Sequence, residues 1–199
     1  MLAMTNTPFQ IYLASSSPRR KELLQQIGIT FQVIPIDITE IPKPTETPIE
    51  YVIRIAKEKA HAGWHAATRI ANLPVLAADT EVVLDGKILS KPIDRLHGVR
   101  MLERLSGRRH QVLSAVVCQH EDKIMVRTAI STVEFRQLSA SDITAYWESG
   151  EPKGKAGGYA IQGLGAIFVS AIEGSYSGVV GLPLFETTEL LREFGVAVL

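Results

Sequence analysis

The chain has 199 residues, 46% of them hydrophobic and 21% charged, enough for a sizeable core in a globular protein of one or two compact lobes. Lys plus Arg number 21 and Asp plus Glu number 21, so no net field favours a nucleic-acid backbone or an anionic membrane, and any anion site has to be local. The lone Cys118 excludes an internal disulfide, no apolar run reaches about 18 residues, and Met1 to Gln10 carries no basic residue; the expectation is a cytoplasmic protein.

In chain order, Ile11 to Leu13 reads as a short strand, Ser15-Ser16-Ser17 as a turn, and Pro18 as a first helical residue, where its missing N–H costs nothing. A helix start turns unpaired N–H groups and the positive end of its dipole outward, and here serine hydroxyls and the Arg19 and Arg20 guanidiniums join them. That assembly suits an oligophosphate; a serine-capped surface helix is the plainer alternative. Leu23, Leu24 and Ile27 keep helical spacing up to Gly28, and Phe31 to Asp37 alternates as a strand. Pro42, Pro44 and Pro48 then exclude regular structure until Thr47, which pairs with Glu50 as a capping box for a long helix with an apolar stripe of Ile49, Val52, Ile53, Ala56 and Ala60. Glu40, in the loop before it, is a solvated carboxylate or a metal-directed acid. Lys57, Glu58 and Lys59 are consecutive, and spacing does not say which turns inward. His61 and His65 lack the Glu that a zinc-binding helix needs after the first His, so no metal is expected there.

Pro74 to Ala78 reads as a buried strand, with Asp79 and Thr80 where the apolar run ends. A carboxylate is costly to bury without a cation, a metal or hydrogen-bond donors, so Asp79 points to function or to a polar network. Asp85-Gly86 reads as a hairpin turn, with Ile88 to Pro92 returning and carrying Lys91 back towards Asp79. Asp94 starts a helix that Gly107 ends; His110 to Cys118 and Ile124 to Phe135 read as antiparallel strands that bury Cys118 as an inert thiol; Ser139 to Trp147 is a helix with a Ser-x-x-Asp start. Between Gly154 and Gly165 lie five of the fifteen glycines, a density that implies close approach to another strand or to a ligand. A strand from Ala166 to Ile172 and a helix from Leu184 to Phe194 close the chain. Gly150 to Lys155 lacks P-loop spacing, and Gly174 to Gly178 has Tyr176 where a nucleophile elbow needs Ser.

Six stretches together, Ala14-Ser15-Ser16-Ser17-Pro18-Arg19-Arg20, Arg54 to Ala60, Ala78-Asp79-Thr80, Lys91-Pro92, Gln162-Gly163-Leu164-Gly165 and Gly181-Leu182-Pro183, resemble the motifs of the Maf family of nucleoside triphosphate pyrophosphatases over about Ile11 to Phe194. The first, third and fifth resemble the branch acting on dTTP and UTP; the branch acting on 7-methyl-GTP tends to carry Trp at the place of Arg19. The resemblance implies an α/β, Maf/ITPase-like fold, two lobes around a long curved mixed β-sheet with flanking helices, formed by a single domain spanning 1–199 with the site between the lobes. It implies a house-cleaning hydrolase that cuts between the α- and β-phosphates with Mg²⁺ or Mn²⁺. By matching motifs, Asp79 is the proton acceptor or a metal carboxylate, Glu40 a second metal carboxylate, Ser15, Arg20, Lys59 and Lys91 the triphosphate ligands, and Arg19, Thr80 and Gln162 the base-reading residues. The implied partner is a nucleoside triphosphate, with no nucleic acid and no membrane; monomer and homodimer both stay open. A nucleotide-binding regulator of cell division and a pyrophosphatase of non-standard purine triphosphates remain as alternatives.

Overall fold

The computed structural model describes residues 8–198, so the expectation drawn from Met1 to Gln10 lies outside the described residues up to position 7. A mixed seven-stranded sheet carries the helices. Its strands are β1 (Ile11–Leu13), β2 (Phe31–Val33), β3 (Val75–Leu84), β4 (Lys87–Ile88), β5 (Arg109–His120), β6 (Lys123–Phe135) and β7 (Val169–Glu173). They lie in the order β2-β1-β3-β5-β6-β7, with β4 pairing β3. The helices are α1 (Pro18–Gln26), α2 (Pro48–Trp64), α3 (Arg95–Leu105), α4 (Ala140–Glu148), α5 (Tyr176–Val180) and α6 (Leu184–Glu193). The chain divides into two compact units: residues up to Asp79, Ala115–Thr128 and from Gly181 on form one, and Thr80–Ser114 with Ala129–Val180 the other.

In the first unit β1 is parallel to β2 (Ile11↔Phe31) and to β3 (Leu13↔Leu76). The crossover from β1 through α1 goes to one side of β1 and the crossover through α2 to the other, which puts a topological switch point at the carboxyl end of β1, beside the middle of β3; such points are where open α/β sheets bind ligands. β2 is shorter than the alternation of Phe31 to Asp37 predicts: Ile34 N still donates to Leu13 O at 2.9 Å, and Pro35 then removes the next donor. Thr47 and Glu50 form the expected capping box of α2. The buried face of that helix is Tyr51, Val52, Ile55, Ala56 and Ala60, rotated from the predicted stripe, with Ile49 and Ile53 half-buried. Gly63 sets how close α2 comes: a Cβ there would stand 2.8 Å from Ala14 Cβ and 2.9 Å from Val75 Cγ1. α2 is antiparallel to the strands it crosses between, so one turn back from Gly63, about 5 Å along the axis, Lys59 hangs past the carboxyl end of β1 and over the middle of β3, where Asp79 lies.

β3 differs most from expectation. It continues without a break for ten residues, so Asp79 sits in mid-strand, at 5% exposure, and not at a strand end. The β-branched and apolar residues from Val82 to Leu84 carry the extended backbone on. In the second unit Asp85-Gly86 makes the expected turn, but β4 has only two residues, and its pairing ends with Leu89 N donating to Val82 O; Lys91 lies beyond it, exposed. Asp94 caps α3 through the His97 amide, and Ser139 with Asp142 forms the capping box of α4. α3 and α4 meet where Gly98 faces the Trp147 ring, a contact that a Cβ would block. His110, Phe135, Tyr159, Phe168 and Tyr146 pack edge-to-face behind the glycine-rich stretch. The strand predicted from Ala166 starts later: Leu164–Phe168 is a 3₁₀ turn, and β7 pairs antiparallel with β6 from Phe135↔Val169. α5 has no counterpart in the sequence reading.

Candidate active site

Ser15, one residue past the Ala14 amide that bonds Leu76 O, leaves the sheet at the carboxyl end of β1. Its Oγ accepts from the Ser17 amide at 3.2 Å and from Arg20 Nη1 at 3.3 Å. Arg20 Nε donates to Gly181 O at 2.9 Å. The guanidinium is thus held between the serine turn and the Gly181-Leu182-Pro183 loop. Ser17, the N-cap of α1, offers no side-chain hydrogen bond to the first turn, and Pro18 has no N–H to satisfy. Arg19, beside it, is half-buried, and burial lowers the affinity of its guanidinium for its proton.

Three charged side chains meet on the α2 side of the same unit. Lys59 Nζ donates to Asp79 Oδ1 at 2.8 Å and pairs with Glu40 Oε1 at 2.6 Å. Of the three candidates on α2, Lys59 is therefore the inward one; Lys57 is exposed and Glu58 pairs with Arg54. Asp79 Oδ2 is buried and has no hydrogen-bond partner among the described residues. A buried carboxylate oxygen left unmatched costs free energy unless something arrives to meet it. A divalent cation fits: Mg²⁺ is commonly held by one or two carboxylates plus substrate phosphate oxygens, and Asp79 and Glu40, bridged by Lys59, supply two carboxylates. No group of three or more His, Cys, Asp or Glu among the described residues could hold a metal. His61 and His65 face each other edge to face, with ring centroids 4.4 Å apart.

The second unit holds Thr80, Lys91 and Gln162. Ser114 Oγ donates to Gly178 O at 2.7 Å, so the 2.8 Å contact between Thr80 and Ser114 has the Thr80 hydroxyl as donor. Gln162 is exposed at the head of Gln162-Gly163-Leu164-Gly165. Three of the five glycines of this region, Gly157, Gly163 and Gly165, lie against the protein itself. Gly157, at φ +67°, would press a Cβ to 2.9 Å from Val82, and a Cβ on Gly163 would overlap the Glu151 carboxylate. Glu151 escapes the sequence reading because its partners lie 13 and 14 residues further on; its only local signal is an acid between Gly150 and Pro152. Burial pushes its carboxyl up, but the Gly165 and Leu164 amides and the Tyr146 hydroxyl more than offset this and leave it below the usual range. Cys118 is fully buried in β5 and burial pushes its thiol up, away from the thiolate, as an inert core cysteine requires.

A family model described as Maf-like protein matches residues 10–194. The chain belongs to the Maf family. Relatives of this Maf chain include the protein of Aliivibrio fischeri named dTTP/UTP pyrophosphatase, 53% identical over 93% of this chain and 98% of that one. Proteins of the same name from Nitrosomonas europaea and Bordetella avium are 51% and 50% identical, each over 94% of this chain and 96% of the relative. Among solved structures, the Staphylococcus aureus Ham1 protein aligns over 63% of this chain and 71% of that one, at 20% identity and a TM-score of 0.43. No helix among the described residues is long and apolar enough to cross a membrane.

Proposed function

We propose that this protein hydrolyses dTTP and UTP to the nucleoside monophosphate and pyrophosphate, removing unwanted triphosphates from the cytoplasmic nucleotide pool. The names of relatives at 50–53% identity support the substrate and the reaction. The observation that carries the chemistry is the unmatched Asp79 Oδ2 beside an Oδ1 held by Lys59. Lys59 fixes the carboxylate plane from one side and leaves Oδ2 to take a proton from the water that attacks the α-phosphorus. Arg20, fixed by Ser15 Oγ and Gly181 O, meets phosphate oxygens with its planar fork, and with Lys59 it offsets charge that grows on the departing pyrophosphate. Glu40 would hold the divalent cation, Mg²⁺ or Mn²⁺, joined by Asp79 where its Oδ2 ligates the cation instead of taking the proton; when bound, the cation neutralises phosphate charge. Lys91 adds a further phosphate ligand by its motif.

Base choice falls to Gln162, with Arg19 and Thr80. Thymine and uracil present two carbonyl acceptors flanking one N–H, and a glutamine amide carries both the donor and the acceptor that such an edge needs. Cytosine replaces one carbonyl by an amino group, which turns a donor onto a donor. Sites built on such hydrogen bonds discriminate by up to ~10⁴, whereas the thymine methyl is worth about 1–3 kcal/mol, so dTTP and UTP are both substrates. The test is the purified protein with dTTP, UTP, CTP, ATP, GTP and 7-methyl-GTP and either cation, scoring pyrophosphate against orthophosphate. Pyrophosphate from dTTP and UTP well above the rest is expected. Orthophosphate as the primary product overturns the reaction, binding without turnover leaves a regulator, and preference for a purine overturns the base assignment alone.

A further inference from the structure

Two segments that flank Gln162 are tied to one pair of side chains. On the amino side, the Ala160 amide donates to the Tyr146 hydroxyl at 3.0 Å. On the carboxyl side, the Leu164 amide donates to Glu151 Oε2 at 2.9 Å and the Gly165 amide to Glu151 Oε1 at 3.0 Å. Tyr146 closes the frame by donating its hydroxyl proton to Glu151 Oε1 at 2.7 Å. Every bond runs into an acceptor, so the frame needs an ionised carboxylate at 151, and an amide there would set a donor against a donor at one of its two oxygens. Gly163 is the contact that admits it: any side chain would overlap the carboxylate. The aromatic end of the frame is itself fixed, because Tyr146 packs edge-to-face on Phe168 at 4.9 Å.

We propose that Glu151, with Tyr146, is a positioning residue for base selection: it holds the loop on both sides of Gln162 so that the exposed amide meets the pyrimidine edge in one orientation. The inference rests on the reading that Gln162 contacts the base. A loop released from the frame still carries Gln162, but the amide then samples several orientations, and the loss falls on recognition of the base and not on the phosphate chemistry.

The experiment compares Glu151→Gln, Tyr146→Phe and Gln162→Ala with the unaltered protein, taking kcat and KM for dTTP and CTP and the hydrogen exchange of the Leu164 and Gly165 amides. Glu151→Gln is expected to lower the dTTP-to-CTP ratio of kcat/KM by about tenfold or more, through KM for dTTP, with kcat reduced by no more than about threefold and both amides losing protection. If Gln162→Ala lowers the ratio and a folded Glu151→Gln does not, or if Glu151→Gln slows both nucleotides alike, the inference is overturned and the reading of Gln162 stands. If Gln162→Ala itself leaves the ratio unchanged, the base reading fails and takes this inference with it, whatever the amides do. Should Glu151→Gln not fold, Tyr146→Phe, which removes the hydroxyl from the same frame, is read by the same outcomes.

Discussion

Lys59 stands between Asp79 and Glu40, 2.8 Å from one carboxylate and 2.6 Å from the other, and it is the only cation joined to Asp79 among the hydrogen bonds and ion pairs of the described residues. In the proposed reaction, acids that serve water and cation would also repel the phosphates; a lysine shared between Asp79 and Glu40 softens that repulsion while both acids stay in place. Asp79 Oδ1 is satisfied by the lysine, and Oδ2 is buried without a hydrogen-bond partner among the described residues.

Asp79→Asn should keep the fold and lose most turnover. The amide is nearly isosteric and its oxygen can still accept from Lys59, but it cannot take a proton, and loss of general-base help is on the order of 10² to 10⁴ in rate. Near-normal kcat in a variant with an unaltered melting curve would show that another group accepts the proton.

Lys59→Met should be costly in a way that Asp79→Asn partly repairs. The lysine side chain is 12% exposed and that of Asp79 7%, so deleting the cation leaves a buried carboxylate uncompensated, at a cost of about 3 kcal/mol or more. Neutralising Asp79 in the same chain removes that penalty, so urea unfolding of the two single variants and the double variant should give a non-additive cycle. Simple addition of the two losses would mean that the pair is not coupled.

Stability should fall on acidification through His110. Its Nε2 meets the Tyr159 hydroxyl at 2.8 Å, its Nδ1 is buried without a partner among the described residues, and burial pushes the imidazole down to about 4. Between the ordinary value of about 6.5 and that depressed one, the unfolded chain binds a proton that the folded chain refuses, so stability is lost as pH falls through this window, on the order of 2 kcal/mol by about pH 5. Urea unfolding at neutral and mildly acid pH should show a steeper loss for the unaltered protein than for His110→Gln, whose amide does not titrate. Equal pH dependence of the two would rule the imidazole out as the source.

Local chemistry was legible wherever one or two residues decide the backbone. Pro18 at a helix start, Thr47 with Glu50, Asp94, Ser139 with Asp142, and the Asp85-Gly86 turn each act within four residues, and all stand where the sequence puts them. The motif residues were legible too, because a serine-arginine helix start and an acid inside an apolar run are unusual on physical grounds. The extent of β3 was not: Asp79 interrupts the hydrophobic pattern, and pairing with neighbouring strands, with the β-branched and apolar residues from Val82 to Leu84 beyond, keeps the backbone extended through it. Nor could spacing choose among Lys57, Glu58 and Lys59, since that depends on how α2 is rotated on the sheet, and Gly63 against Ala14 and Val75 sets the rotation. Glu151 belongs to the same class. Its partners are backbone amides, which every residue carries, so no side-chain pattern announces them; only the folded loop brings Leu164 and Gly165 to its oxygens and leaves Gln162 between the two ends that Tyr146 and Glu151 hold.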